Sequence, residues 1–342
     1  MFDHSNIACP SGLLSGIQDD NGSLEFLGIR YATADRFCPP IDVVSWDGTY
    51  DATQYGSVCP QRAGMLESIQ GFDPATTDED CLFLNVFTSG PPEANTSKPV
   101  LVWIHGGAYT NGSSSTPWYH GGNLAAQGSV VVSINYRLGA LGFLGDGNYG
   151  ILDMVSALRW VNKNIAAFGG NPNNVTIFGE SAGGSALIAL MACPEAQGLF
   201  QRVWAMSPSI GQLRERDRSL ELTKEFLEIA GVESIDELRS TSVEKILDFQ
   251  TSQYLSANKT FDFFAPTGGG VGIESDILNT ASQSPVQFVV GTNKDENKIW
   301  AAFDPALADA DADMWNEFCI ESFGDNATNA RQTYEKMRPY ES

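Results

Sequence analysis

The stretch from Val175 to Met191 constrains the fold more than any other part of the chain, because an apolar strand pattern changes there into a helix of small residues. The change falls within Gly-Glu-Ser-Ala-Gly at positions 179–183. This G-x-S-x-G pattern is typical of a sharp strand-to-helix turn that lifts the serine hydroxyl clear of a sheet. Such a turn also directs the first N–H groups of the helix at any oxyanion formed beside the serine. We therefore predict that Ser181 is a catalytic nucleophile.

The segments around this turn alternate between two patterns. Val100–Ile104 and Val130–Ile134 are continuous apolar runs, as expected of strands buried on both faces of a parallel sheet, and residues 285–291 repeat that pattern. Residues 150–167 carry apolar side chains at helical spacing. This alternation predicts an α/β fold with a mainly parallel central sheet flanked by helices. The opening stretch, 12–55, has short apolar pieces separated by turn residues and predicts a small antiparallel region.

The domain organisation predicted from these patterns is a single domain over residues 1–342. Between residues 212 and 260 the composition shifts to charged residues and leucines at helical periodicity. This pattern predicts a helical insertion with one side facing solvent. The final stretch, 304–342, has the composition of acidic helix and contains no further strand pattern.

A second motif follows the Val100–Ile104 run. His105-Gly106-Gly107-Ala108 stands where α/β hydrolases place the other arm of an oxyanion hole, and glycine leaves successive N–H groups unobstructed there. A simple Gly-Gly turn is the alternative when this motif is taken alone. We interpret His105 as a structural histidine of this loop rather than as the base that a serine nucleophile needs.

Composition excludes several classes of function. The formal net charge of −22 repels phosphate backbones and anionic lipids, so we expect no nucleic-acid or membrane partner. No apolar run is long enough to span a bilayer, and no signal peptide is visible, which favours a cytoplasmic location over a secreted one. The six cysteines form no C-x-x-C pair or metal-ligand cluster, so we expect no metal and no cofactor.

Eight segments in succession resemble the type-B carboxylesterase family, which includes cholinesterases and para-nitrobenzyl esterases. The resemblance covers nearly the whole chain and implies an α/β-hydrolase fold. Its segments are Phe26-Leu-Gly-Ile-Arg-Tyr-Ala32, Cys59-Pro-Gln61, Glu79-Asp-Cys-Leu-Phe-Leu-Asn-Val86, Trp103-Ile-His-Gly-Gly-Ala108, Asn135-Tyr-Arg-Leu-Gly139, Phe168-Gly-Gly170, Phe178-Gly-Glu-Ser-Ala-Gly-Gly184 and Gly291-Thr-Asn-Lys-Asp-Glu296.

The resemblance implies a role for each matching residue. Ser181 would be the nucleophile and Glu296 the acidic member of a catalytic triad, with Asp295 as the local alternative. Ser207 would support the acid by a hydrogen bond, unless it is an ordinary serine at a strand end. The remaining implied roles are oxyanion-hole donors at Gly107, Ala108 and Ala182, a loop-shaping glycine at Gly106, and a disulfide between Cys59 and Cys81.

Two departures from the family pattern stand out. The family's catalytic histidine follows the acid, whereas the only histidines here are His4, His105 and His120, all before Ser181. Asn297 also replaces the usual glycine after the acid. We expect the family's histidine to lie beyond residue 342, with the sheet incomplete at its C-terminal end and the 286–290 strand left as an edge. His120 is a weaker candidate base because it follows a surface-loop pattern.

The resulting prediction is a serine hydrolase that cleaves small to medium carboxylic esters through an acyl-enzyme intermediate. The alternatives are a truncated, catalytically weak or inactive cholinesterase-like protein, or a binding module. Cholinesterases carry a choline-binding tryptophan in the loop that corresponds to residues 59–81. This loop contains none here, so choline esters are not favoured.

Overall fold

The computed structural model describes residues 4–18, 22–62, 64, 68–71, 76–90, 97–257, 263–296, 298–299 and 311–337. The chain divides into two compact units, Met1–Gly291 and Thr292–Ser342. The predictions of one domain over 1–342 and of a helical insertion at 212–260 stay predictions. Asn297 and residues 304–310 lie outside the described residues.

The first unit is built on a ten-stranded mixed sheet. Its order is β1-β2-β3-β7-β9-β8-β10-β11-β12, and β6 pairs with β2. Along this order the pairs from β1 to β9 are antiparallel and the pairs from β9 to β12 are parallel. The strands β4 and β5 form a separate two-stranded sheet. The strands of both sheets are β1 (His4–Cys9), β2 (Gly12–Gln18), β3 (Leu24–Arg30), β4 (Ala32–Thr33), β5 (Ile41–Asp42), β6 (Thr49–Asp51), β7 (Phe83–Thr88), β8 (Lys98–Ile104), β9 (Val130–Ile134), β10 (Gly170–Glu180), β11 (Arg202–Met206) and β12 (Gln287–Gly291).

Helices follow the parallel strands, as the alternation of patterns predicts. Those of the first unit are α1 (Gly122–Ala125), α2 (Gly139–Phe143), α3 (Tyr149–Asn164), α4 (Ala182–Met191), α5 (Arg216–Ala230), α6 (Val243–Ala257) and α7 (Ile277–Ser282). The second unit contains α8 (Ala312–Phe323) and α9 (Ala327–Met337). Within the part of the chain that the structure describes, none of the helices has both the length and the apolar character that crossing a bilayer requires.

Burial along the central strands agrees only partly with the sequence patterns. All five residues of β9 are buried, as predicted for a strand covered on both faces. In β8 only one face is fully buried, because Leu101 and Trp103 are partly exposed. The prediction of a buried strand is wrong for β12, whose five residues are all exposed. Among the described residues β12 pairs only with β11, so it lies at the edge of the sheet.

The helix α3 shows how the apolar pattern becomes packing. Its predicted core positions Ile151, Val155, Leu158 and Val161 are all buried in the main core. The helix also carries Asp153, whose carboxylate is fully buried beside the guanidinium of Arg137. The two groups form a bidentate ion pair, in which Nε and Nη2 of Arg137 lie 2.8 and 2.7 Å from the carboxylate oxygens of Asp153.

The Arg137 side chain joins three parts of the fold. It follows β9, pairs with α3 through Asp153, and donates a 2.7 Å hydrogen bond to the carbonyl of Cys38 in the N-terminal region. The backbone N–H of Arg137 also donates to the Asp153 carboxylate, at 3.0 Å. Each nitrogen of this buried guanidinium therefore has an acceptor, and a buried charge is tolerated when it is paired and hydrogen-bonded in this way.

Removing one partner of this pair should be costly. We expect Asp153→Ala to lower the free energy of unfolding by about 3–5 kcal/mol, because it leaves the Arg137 cation buried without its counterion. Glu195→Ala is the control, since Glu195 pairs with Arg159 on the surface, and should cost at most about 1 kcal/mol. Urea denaturation of both variants measures the difference, and equal losses would contradict a special role for the buried pair.

Candidate active site

The turn between β10 and α4 holds Ser181 in an unusual backbone conformation. Its φ of 57° and ψ of −125° lie outside the regions that non-glycine residues ordinarily occupy. Such strain costs on the order of 1–3 kcal/mol and persists only where surrounding contacts fix the backbone. Here the Ser181 N–H donates to the carbonyl of Met206 at 2.9 Å, and the Ser181 carbonyl accepts the Ser185 N–H at 2.9 Å. The serine is thus a sharp break at the end of the strand, as predicted.

The loop after β8 lies directly against this turn. A Cβ atom on Gly106 would come within 2.7 Å of the Glu180 carbonyl oxygen and 3.2 Å of the Ser181 Cβ. From the other side, a Cβ on Gly183 would lie 2.2 Å from the carbonyl oxygen of Ile104, at the end of β8. No side chain fits at either position. The two motifs singled out in the sequence are therefore brought together.

The predicted oxyanion donors come from both sides of this contact. Gly107 and Ala108 have left-handed backbones, with φ of 104° and 53°, and Ala182 is the first residue of α4. Among the described residues, no acceptor is bonded to the backbone N–H of any of these three. They are therefore available to a ligand oxygen, and the adjacent N-terminus of a fully buried helix favours negative charge there.

His105 supports the loop from beneath. Its ring is buried, stacks on Tyr136 with centroids 4.4 Å apart, and places Nδ1 at 2.8 Å from the Gly106 carbonyl. Because a carbonyl only accepts, Nδ1 must carry the proton. Burial lowers the pKa of His105 to about 4, although the Gly106 carbonyl opposes that shift. His105 is therefore neutral near pH 7.

Ser207 lies beside Ser181, directly after the end of the neighbouring strand. It follows β11, whose Met206 accepts the Ser181 N–H, and has a left-handed φ of 47°. Its own N–H donates to the Gly291 carbonyl at the end of β12, at 2.7 Å. Ser207 thereby ties together the carboxyl ends of two strands, which is where active sites of parallel sheets lie. Its support of a catalytic acid stays a prediction.

The predicted acid, Glu296, belongs to the second unit. It is partly buried, and its carboxylate accepts the N–H of Asn293 at 2.7 Å, which closes a local turn. The alternative acid, Asp295, instead lies 3.3 Å from the ammonium of Lys298. The role of Glu296 in a triad stays a prediction, as does the choice between the two acids.

His120, the alternative base, is engaged elsewhere. Its Nε2 lies 2.9 Å from the buried carboxylate of Glu25, and its Nδ1 accepts the Gly122 N–H at 3.3 Å. The ring also packs edge-on against Phe87, with centroids 4.9 Å apart. Both ring nitrogens therefore have partners that hold the imidazole against β3 and α1. This arrangement argues against a role for His120 as the base of Ser181.

All six cysteines are free thiols in the structure. The predicted disulfide partners Cys59 and Cys81 are nevertheless neighbours in the core, where a hydrogen bond joins their side chains. That bond and burial together raise the pKa of Cys81 well above its usual value. The disulfide between them stays a prediction.

The sequence reasoning did not single out Tyr109 or Ser185, which pack beneath the site. Tyr109 directly follows the predicted donors and has a left-handed φ of 59°. Ser185 lies one helical turn after Ser181, and its hydroxyl is 3.2 Å from the Ser181 carbonyl. The signal available for Ser185 was its position, because a polar residue four places after the nucleophile faces the same side of the helix.

Comparison with known proteins adds a family. The sequence profile of the carboxylesterase family matches residues 3–339. The para-nitrobenzyl esterase of Bacillus subtilis (strain 168) is 36% identical over 317 residues, which cover 87% of this chain. The phenmedipham hydrolase of Pseudarthrobacter oxydans is 34% identical over 343 residues, which cover 95% of this chain. The solved structure of a thermophilic PNB esterase superposes with a TM-score of 0.84 at 33% identity, over 97% of this chain and 72% of the other.

The curated relatives are longer than this chain. The matched region spans 64% of the B. subtilis esterase and 68% of the P. oxydans hydrolase. The matched region of this chain thus corresponds to about two thirds of each relative.

The buried His105 makes a prediction about acid stability. An unfolded histidine takes up its proton near pH 6.5, whereas the native one resists protonation until about pH 4. The unfolded state therefore binds more protons between these values, and native stability is lost as the pH falls through this window. The contribution of His105 to that loss is about 3 kcal/mol between pH 7 and pH 4.

His105→Asn tests this, because the asparagine amide can still donate to the Gly106 carbonyl but does not titrate. Urea denaturation at several pH values should show a loss of unfolding free energy on acidification that is smaller in the variant by about that amount. Parallel pH profiles for the two proteins would refute the assignment.

Proposed function

This chain belongs to the carboxylesterase family, and from that premise we propose that it is a serine carboxylic-ester hydrolase with Ser181 as its nucleophile. Ser181 attacks the ester carbonyl carbon in this proposal, and the resulting oxyanion is bound by the N–H groups of Gly107, Ala108 and Ala182. Collapse of the tetrahedral intermediate expels the alcohol and leaves an acyl group on Ser181. Water then releases the carboxylic acid by the reverse sequence of steps.

The observation that carries the proposal is the strained Ser181 beside three N–H groups that have no acceptor among the described residues. A pure binding scaffold has no need of a serine in this conformation, and strain of this kind is concentrated at functional sites. Preorganised N–H donors at the point where negative charge develops are the largest single contribution in many acyl-transfer enzymes. The geometry therefore favours catalysis over the binding-module alternative.

Neither His105 nor His120 supplies the base that this mechanism requires. His105 is a buried, neutral support of the oxyanion loop, and His120 is held by Glu25 and Gly122. We propose that Glu296 orients a histidine other than these two, which takes the proton from the Ser181 hydroxyl. Without such a base, the oxyanion hole and binding alone give about 10³–10⁴-fold acceleration over water.

The proposed substrates are small to medium carboxylic esters. The family and the para-nitrobenzyl esterase relatives support this class. In this proposal the formal net charge of −22 also repels the anionic carboxylate products from the protein after hydrolysis.

Chemical rescue by imidazole tests the proposal on the 342-residue chain. Buffer imidazole can take the serine proton, so it should accelerate p-nitrophenol release from p-nitrophenyl acetate beyond its own reaction with the ester. We expect acylation of Ser181, detected by mass spectrometry, to rise by at least about tenfold with imidazole.

Ser181→Ala provides the baseline for this experiment, because it removes the nucleophile and leaves imidazole's direct reaction with the ester unchanged. No acyl group should appear on residue 181 of the variant, and its p-nitrophenol release should equal that of imidazole alone. Equal rates for the chain and the variant, at every imidazole concentration, would rule out the serine mechanism.

A further inference from the structure

The orientation of one predicted oxyanion donor depends on a single peptide plane. The carbonyl of Ser181 and the N–H of Ala182 belong to the same planar unit and point in opposite directions. Whatever holds the Ser181 carbonyl therefore also aims the Ala182 N–H. Because Ser181 has an unfavourable backbone conformation, this plane needs external contacts to keep its orientation.

Ser185 supplies two of those contacts. Its backbone N–H donates to the Ser181 carbonyl at 2.9 Å, and its hydroxyl oxygen lies 3.2 Å from the same carbonyl. The side chain is completely buried, so water does not compete for these groups. A serine at this position thus adds a side-chain contact to the bond that any helical residue would make.

The same hydroxyl holds the loop that follows β11. It accepts the Ser209 N–H at 2.9 Å and lies 3.0 Å from the Ser209 carbonyl and 3.5 Å from Oε1 of Gln212. Ser209 is two residues after Ser207, so this contact fixes the segment that carries the predicted supporting serine. The hydroxyl has a single proton and three neighbouring acceptors, so it donates a hydrogen bond to only one of them at a time.

Ser185 is therefore a junction of α4 and the Ser209 loop. Its hydroxyl contacts the carbonyl of Ser181 on one side and the backbone of Ser209 on the other.

We propose that Ser185 is a positioning residue whose buried hydroxyl fixes the Ala182 arm of the oxyanion hole, through the Ser181 carbonyl, against the loop that carries Ser207 and Ser209. The inference rests on the proposed function. It goes beyond it by assigning a role to a side chain that touches neither the ester nor the nucleophile's hydroxyl.

Binding of phenylboronic acid measures this role without requiring a catalytic base. The Ser181 oxygen donates an electron pair to the trigonal boron, and the serine proton passes to the buffer. The resulting anionic tetrahedral adduct places a boron-bound oxygen in the oxyanion hole. We expect Ser185→Ala to weaken the affinity, followed by boron NMR, by about tenfold, because small misplacements of catalytic groups carry penalties of this size.

Ser156→Ala is the matched control. Ser156 is also buried in a helix, but its hydroxyl has no partner among the described residues, and it lies in α3. Its removal should leave the boronate affinity within about twofold of the parent. If Ser185→Ala behaves like Ser156→Ala, the positioning role is wrong.

Two further measurements separate this inference from the proposed function. Ser181→Ala must abolish the adduct; if the parent chain forms none at Ser181, the proposed function fails. In that case, amide hydrogen exchange still tests whether Ser185 positions the backbone at Ser181. Exchange of the Ser181 N–H should accelerate by about tenfold in Ser185→Ala and stay unchanged in Ser156→Ala. Unchanged exchange in both variants would overturn the positioning role.

Discussion

The candidate site depends on how closely the end of β8 approaches the turn after β10. A Cβ at Gly183 would lie 2.2 Å from the Ile104 carbonyl oxygen, and one at Gly106 would lie 2.7 Å from the Glu180 carbonyl oxygen. These distances leave room only for hydrogen atoms. The parallel pairing of β8 with β10 sets the two strand ends side by side, and the glycines then let backbone meet backbone. The arrangement of the predicted oxyanion donors is a consequence of that contact.

The strain at Ser181 is offset by packing on every side of the turn. The helix α4 buries all ten of its residues, so it cannot shift without exposing apolar surface. The parallel register that places Glu180 opposite Met206 sets the strand end whose carbonyl accepts the Ser181 N–H. Farther away, the Arg137–Asp153 pair fixes the end of β9 against α3, which keeps the neighbouring strand of β8 in place. The active-site geometry is thus supported by the central sheet as a whole.

The parts of this fold that the sequence could predict are those determined by local patterns. The Val130–Ile134 run predicts β9 with its full burial, and the Gly179–Gly183 motif predicts the turn at Ser181. β12 has the same kind of apolar run as β9, yet all its residues are exposed. Burial is a property of what covers a strand, and a sequence window does not contain that information. The same reason explains why Ser185 was missed, since its partners Ser209 and Gln212 come from a separate segment.

The division of the catalytic machinery between elements has a consequence for what this chain can contribute. Ser181 and the predicted donors are all set by the contact between the β8 loop and the start of α4, and His105 and His120 serve as supports within that unit. Charge stabilisation by fixed dipoles requires no proton transfer, whereas activation of the serine does. The two contributions are therefore separable in principle, and the oxyanion hole retains its effect on the transition state when the base is absent. Since the Ala182 donor is aimed by the peptide that Ser185 holds, the electrostatic part of the machinery is built from groups of the first unit alone. The ability of the first unit to stabilise negative charge beside Ser181 is then a property of its own fold, and it does not depend on the identity of the catalytic base.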